Sequence, residues 1–212
     1  MNEKCWYKEV CKNKKCDNCI RYSEMKYLMD NSGIPEKRQI PVTLSCDARD
    51  KDAFLELADI KSDIVNFVNN GENLYITSNE TGNGKTSWAI KLMLKYFDCI
   101  WAGNGFNIRA YFVHVPTFLN TLKDFNNDHS TLKNILDTAD LVVWDDIAAT
   151  KLSDFDIAQL LSFIDTRMYR DLSNIYTGNL ASKDSLKKAL GDRLASRICS
   201  STVIILKGKD RR

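Results

Sequence analysis

The chain has no apolar run approaching the roughly 20 residues that a membrane-crossing helix needs. Its start, Met1-Asn2-Glu3-Lys4-Cys5-Trp6, carries no apolar signal core. Both absences argue against a secreted or membrane-spanning chain, so the expected location is the cytoplasm, with no membrane partner. Charge of one sign is also lacking: 30 Lys and Arg face 28 Asp and Glu, a formal net charge of +2. The total therefore says little about partners, and its distribution says more. From Lys183 to Arg212 there are nine basic residues and three acidic ones, a tail suited to a nucleic acid or to nucleotide phosphates. No internal repeat or low-complexity tract occurs.

Length allows one domain of comfortable size and a small appendage, since the chain has 212 residues. Residues 1–45 read as the appendage, and 46–212 as the domain. Four of the seven cysteines crowd into the appendage: Cys5, Cys11, Cys16 and Cys19. An odd total does not suggest a disulfide scaffold, and Cys46, Cys99 and Cys199 read as dispersed buried thiols. Cys16-x-x-Cys19 has the spacing of a zinc knuckle, and Cys5 and Cys11 complete a four-thiolate set. A redox dithiol would need a βαβ context that is missing here. A module this small has little core, so metal binding would help it fold. A helix-like stretch, Ile20 to Met29, follows. Asn31-Ser32-Gly33 breaks it, and Pro35 and Pro41, two of only three prolines, keep the chain extended as a linker.

Apolar residues at helical spacing run from Asp50 to Asn69, with Asn69-Asn70-Gly71 as the stop. Beyond that the chain alternates. Strands are expected at 73–78, 110–115, 140–145, 173–178 and 201–206, and helices at 85–97, 116–126, 130–138, 153–171 and 183–198. This implies an α/β fold with a five-stranded, mostly parallel sheet between helices. Leu141-Val142-Val143-Trp144 and Val203-Ile204-Ile205-Leu206 are continuously apolar, as strands covered on both faces should be.

Between the first strand and the first helix of that alternation lies Asn79-Glu80-Thr81-Gly82-Asn83-Gly84-Lys85-Thr86-Ser87. Glycines let the backbone wrap phosphate oxygens so that consecutive N–H groups point inward. Lys85 adds a positive charge for the β/γ-phosphates, and the Thr86 hydroxyl is a Mg²⁺ ligand. The pattern departs from a P-loop only at Asn79, which replaces the first glycine; asparagine tolerates left-handed backbone better than most residues. ATP and Mg²⁺ are therefore the expected ligands. The buried strand at 140–145 ends in Asp145-Asp146. The first carboxylate suits Mg²⁺, and the second suits polarising the water that attacks the γ-phosphate. Thr177-Gly178-Asn179 closes the next strand, where the Asn179 amide could orient that water.

Gly82-Asn83-Gly84-Lys85-Thr86, Asp145-Asp146, Thr177-Gly178-Asn179, the run Gly191-Asp192-Arg193-Leu194-Ala195-Ser196-Arg197 and the final Gly208-Lys209-Asp210-Arg211-Arg212 occur in a telling order. Over residues 50–212 this order resembles the AAA+ ATPases of the replicative-helicase loader type (DnaC/DnaI-like). The cysteine-rich start resembles the zinc-binding head of DnaI-type loaders. The resemblance implies that Lys85 and Thr86 are Walker A residues, Asp145 the Walker B carboxylate and Asn179 sensor I. Asp146 stands where many AAA+ proteins have Glu, and its shorter side chain implies slow hydrolysis. Arg197 resembles the arginine finger that reaches a neighbouring subunit's ATP, with Arg193 as the fallback. Arg212 resembles the sensor II arginine, with Arg211 as its rival, and the resemblance to the loader family implies no C-terminal helical lid of the kind larger AAA+ proteins carry.

The function this implies is an ATP-dependent loader of a hexameric replicative helicase. It would grip the helicase through its zinc module, self-associate through its ATPase domain and engage single-stranded DNA, with Lys183, Lys187, Lys188 and Arg109 as DNA contacts. Two alternatives share the ATPase core: a transposition-type AAA+ regulator on duplex DNA, and a nucleotide-gated adaptor with little hydrolysis.

Overall fold

The computed structural model describes residues 5, 7, 11, 19–39, 43–124, 128–149 and 151–208. Cys16, Arg211 and Arg212 lie outside the described residues. The elements follow as α1 (Ile20–Asp30), α2 (Lys51–Ser62), α3 (Ile64–Asn69), β1 (Asn73–Thr77), α4 (Lys85–Ile100), β2 (Ala110–His114), α5 (Val115–Leu122), α6 (Ser130–Thr138), β3 (Leu141–Asp145), α7 (Asp154–Tyr169), β4 (Ser173–Gly178), α8 (Lys183–Cys199) and β5 (Thr202–Ile205). The five strands form one sheet in the order β2-β3-β4-β1-β5. Every neighbouring pair is parallel.

Side chains alternate across a strand, so β1–β4 each supply two cores; the edge strand β5, expected to be covered on both faces, leaves Val203 and Ile205 exposed. Leu74, Ile76, Leu141, Val143 and Ile175 point to the face covered by α1–α4. Tyr75, Val142, Trp144 and Tyr176 point to the other, covered by α5–α8. With both faces covered the strand interiors must be apolar throughout, which explains why β3 is buried from end to end. Among the described residues no helix is long and apolar enough to cross a membrane.

The structure differs from the sequence expectation at several points, one being that Cys46 and Cys99, expected as buried thiols, are exposed. The helix expected over 50–69 breaks at Asp63 (φ −113°, ψ 27°), giving α2 and α3. Helix α8 is interrupted by Gly191 (φ 75°, ψ 164°). Met25, Leu28 and Met29 dock α1 on the hydrophobic cluster of α2–α4, and the stretch that follows is not an extended tether, because Ile34 joins the same cluster. Arg21 reinforces the docking with an ion pair to Asp98 of α4 at 2.6 Å.

Two buried polar residues hold the layers in register. Arg167 on α7 donates to the carbonyls of Leu136 (2.6 Å), Ala139 (2.9 Å) and Ser173 (2.7 Å) and to Asn174 Oδ1 (2.7 Å). It thereby ties α6, α7 and the start of β4 together. Asp50, at the start of α2, accepts the backbone N–H groups of Lys207 and Gly208, fixing the segment that follows β5.

Candidate active site

In a parallel sheet, ligands sit at the carboxyl ends of the strands, where the loops leave the sheet. Here the β1–α4 loop and the ends of β3 and β4 meet. Gly84, with φ 99°, turns the loop into the first turn of α4, a conformation an L side chain adopts only with strain. The loop's positive φ values fall on Gly82 and Gly84, and Asn79 has none, so the missing first glycine asks no left-handed backbone of Asn79. Asn79 is exposed and lies outside the cleft lining.

Gly82, Asn83, Gly84, Lys85, Thr86, Ser87, Asp146 and Asn179 line one cleft of about 390 Å³. Its size is within the usual range for small-molecule sites, about 300–1,000 Å³. Lys85 is buried, and its Nζ donates to the Glu80 carbonyl (2.9 Å) and to Asn83 Oδ1 (3.1 Å). Asn83 in turn donates to Ser78 Oγ and to the Leu206 carbonyl, which fixes the loop against the end of β5.

Asp145 lies beneath the cleft, 1% exposed. Its Oδ1 accepts from Thr86 Oγ1 and from Thr177 Oγ1, both at 2.7 Å. Thr177 Oγ1 also accepts the Asp146 backbone N–H at 3.0 Å, locking the β3 end to the β4 end. Burial raises the Asp145 pKa, partly offset by the two hydroxyl donors, while the Asp146 charge raises it further. A buried carboxylate held above its ordinary pKa gains from a cation. Asp146 itself has φ 58°, a left-handed conformation uncommon for a residue other than glycine.

The residues present fit a Mg²⁺–nucleotide. Thr86 and Asp145 supply hydroxyl and carboxylate oxygens in direct contact, the glycine loop supplies a backbone cradle, and Asn179 Oδ1 is buried without a hydrogen-bond partner among the described residues. His114, paired in register with Asp145, joins Asp145 and Asp146 as a set whose ligand atoms converge within 4.8 Å. Among the described residues, Cys5, Cys11 and Cys19 form no such set.

Arg193 and Arg197 are exposed on α8 and do not line the cleft; Arg197 Nε pairs with Asp165 Oδ1 of α7 at 2.6 Å. Lys183, Lys187 and Lys188 are exposed on α8, and Lys187 pairs with Asp192 at 3.1 Å. Arg109 is committed to an ion pair with Asp140, which also accepts from Tyr96. Sequence reasoning passed over His114, the bridging role of Thr177, and Lys37 and Arg38, which also line the cleft. Only strand register and the folding back of residues 31–39 bring these to the site; no local pattern marks them.

Fold and site together define a P-loop nucleotide-binding domain of the AAA+ class. The profile of the family described as IstB-like ATP binding protein matches residues 43–201, and the chain belongs to that family. No curated protein matches the chain. Among solved structures it is similar to the DnaC helicase loader (TM-score 0.66, 22% identity, covering 86% of this chain and 99% of that one). It is also similar to DnaI (TM-score 0.65, 18% identity, 82% and 95% covered). A third neighbour is the replication initiator DnaA bound to AMPPCP and single-stranded DNA (TM-score 0.58, 16% identity, 88% and 52% covered).

Proposed function

We propose that this chain is an ATP-dependent loader of a hexameric replicative DNA helicase, acting in the cytoplasm. The observation that carries the reading is a fold shared along nearly the whole of the DnaC loader, with a phosphate loop wired directly to a buried acidic strand end. In this reading Thr86 and Asp145 hold Mg²⁺, which screens the phosphate charge when bound. Lys85 leaves its loop acceptors for the β/γ-phosphates. Asn179 and Asp146 hold the attacking water, Asp146 as its polarising base; being shorter than Glu, Asp146 makes turnover slow. Phosphoryl transfer requires positioning and charge neutralisation more than covalent help.

Arg197 serves the ATP of an adjoining subunit, with Arg193 as fallback, so it exchanges Asp165 for phosphate when subunits assemble. Arg212, or its neighbour Arg211, contacts the nucleotide of its own subunit. Residues 1–45 contact the helicase, with Zn²⁺ held by Cys5, Cys11, Cys16 and Cys19; metal analysis of reduced protein should find close to one zinc per chain. The α8 lysines Lys183, Lys187 and Lys188 serve single-stranded DNA, a ligand carried by the DnaA neighbour.

A second reading, a transposition-type AAA+ regulator that binds duplex DNA, shares the ATP-binding core by which the chain belongs to its family. The short Asp146 keeps a third, an adaptor gated by nucleotide with little hydrolysis. A pull-down against a replicative helicase, with and without ATP, separates them. Retention that needs both ATP and residues 1–45 supports the loader. No retention, together with ATP-dependent filaments on duplex DNA, supports the transposition regulator. Retention with ATP but no turnover supports the adaptor.

A further inference from the structure

Residues 31–39 form a brace fastened at both ends. The Ser32 carbonyl accepts the N–H of Phe112 on the edge strand β2 at 2.7 Å, so the brace continues the sheet edge. Ser32 Oγ donates to the Met29 carbonyl (2.7 Å) and accepts the Ile34 N–H (3.1 Å). Ile34 is buried, and Gln39 Nε2 donates back to the carbonyls of Ile34 (3.1 Å) and Met29 (3.3 Å). Gly33 allows the close approach to β2: it has φ 72°, and a Cβ there would stand 2.5 Å from the Phe112 carbonyl oxygen.

The single 3₁₀ turn inside this brace, Glu36–Arg38, brings Lys37 and Arg38 to the nucleotide cleft. Both are exposed, and neither forms an ion pair among the described residues. Lys37 and Arg38 share the cleft lining with Asp146 and Asn179, the strand-end residues that the nucleotide reading places at the terminal phosphate. Farther along, Leu44 Cδ2 lies 3.7 Å from where a Gly84 side chain would begin, so the chain returns across the phosphate loop. Lys37, Arg38, Lys85 and Lys91 thus gather at one cleft. Four cations in one cleft repel each other, an arrangement that a bound polyanion reverses.

From this geometry we infer that Lys37 and Arg38 bind the terminal phosphate of a nucleoside triphosphate within the same subunit. The brace thereby becomes sensitive to the γ-phosphate, and so does α1, to which it is hydrogen-bonded. The inference rests on the nucleotide-binding reading of the cleft. Arg38 supplies a planar fork suited to two phosphate oxygens, and Lys37 a second, mobile charge.

Two measurements on the full chain test it. In the first, fluorescently labelled ATP and ADP are titrated with Mg²⁺ into wild type, the K37Q/R38Q double variant and Lys85→Ala. The double variant should lose about 10- to 100-fold in ATP affinity, the worth of one or two charge-assisted hydrogen bonds, with ADP affinity held within about twofold. Arg38→Lys should restore part of the loss. An unchanged ratio of ATP to ADP affinity in the double variant overturns the inference while leaving the nucleotide site standing. If wild type binds neither nucleotide, or Lys85→Ala alters neither affinity, the nucleotide reading itself fails and this inference falls with it. The second measurement needs no variant: trypsin cleavage after Lys37 and Arg38 should slow about tenfold with a non-hydrolysable ATP analogue relative to ADP. Equal cleavage rates overturn the inference.

Discussion

Replacing Arg167 with Met tests how the second core is held together. The side chain is 0% exposed, and burial lowers its pKa to about 10, so it stays charged at neutral pH. Its hydrogen bonds go to neutral acceptors: four carbonyls and the Asn174 amide oxygen, which Trp144 Nε1 also donates to. Two of those carbonyls, Leu136 and Ala139, belong to the end of α6, where a cation also complements the helix dipole. Methionine fills similar space but donates nothing. The carbonyls of Leu136, Ala139 and Ser173 then lose their charged donor, at about 1–3 kcal/mol for each one left unsatisfied. Release from burying a charge offsets part of this. The net loss should be about 3–5 kcal/mol, or a fall in Tm of about 6–20 °C for a domain of this size. Thermal and urea denaturation followed by far-ultraviolet circular dichroism give both numbers. Arg167→Lys, which keeps the charge but reaches fewer acceptors, should fall between. A Met variant within about 0.5 kcal/mol of wild type would refute the argument.

Three further substitutions have defined outcomes. Asp145→Asn should abolish Mg²⁺-dependent hydrolysis yet raise the Tm of the nucleotide-free protein. The folded-state pKa of Asp145 is raised by burial, so between the unfolded and folded pKa values the folded state binds more protons, and stability falls as pH rises through that window. The gain from Asn should accordingly be largest at neutral pH and vanish in acid; a gain that grows as pH falls would contradict it. Arg197→Ala should leave ATP affinity unchanged but remove assembly-dependent turnover, while breaking an exposed pair with Asp165 that is worth under about 1 kcal/mol; full turnover in a concentration series would refute the finger role. Asp50→Ala should cost about 1.5–3 kcal/mol by freeing the N–H groups of Lys207 and Gly208, read as a lower urea midpoint.

The phosphate loop and the strand ends were legible because their chemistry is local. Lys85 and Thr86 are set by the two glycines of the turn, Gly82 and Gly84, and Asp145 by four buried residues ahead of it. Each of the five strands lies within one residue of its expected bounds at either end, since continuous apolar runs between turn residues leave little choice. What could not be read depends on contacts far apart in sequence. Arg167 looks like a surface helix charge until α6 and β4 close around it. Pro35 and Pro41 suggested a free linker, whereas Ile34 and the Ser32–Phe112 bond pull that stretch onto the sheet edge and bring Arg38 to the cleft. The break at Asp63 likewise follows from packing α3 beneath β4 rather than from any proline or glycine; Phe67 and Val68 carbonyls accept from Ser173 Oγ.

Binding of Mg²⁺–ATP measured by titration calorimetry, in wild type and in Lys85→Ala, tests the central claim most directly. A single site per chain is expected, weakened by about 10- to 100-fold when Lys85 is removed, because that buried ammonium is the charge the loop is built to present. Absence of binding in wild type, or equal affinity in the variant, would contradict the account.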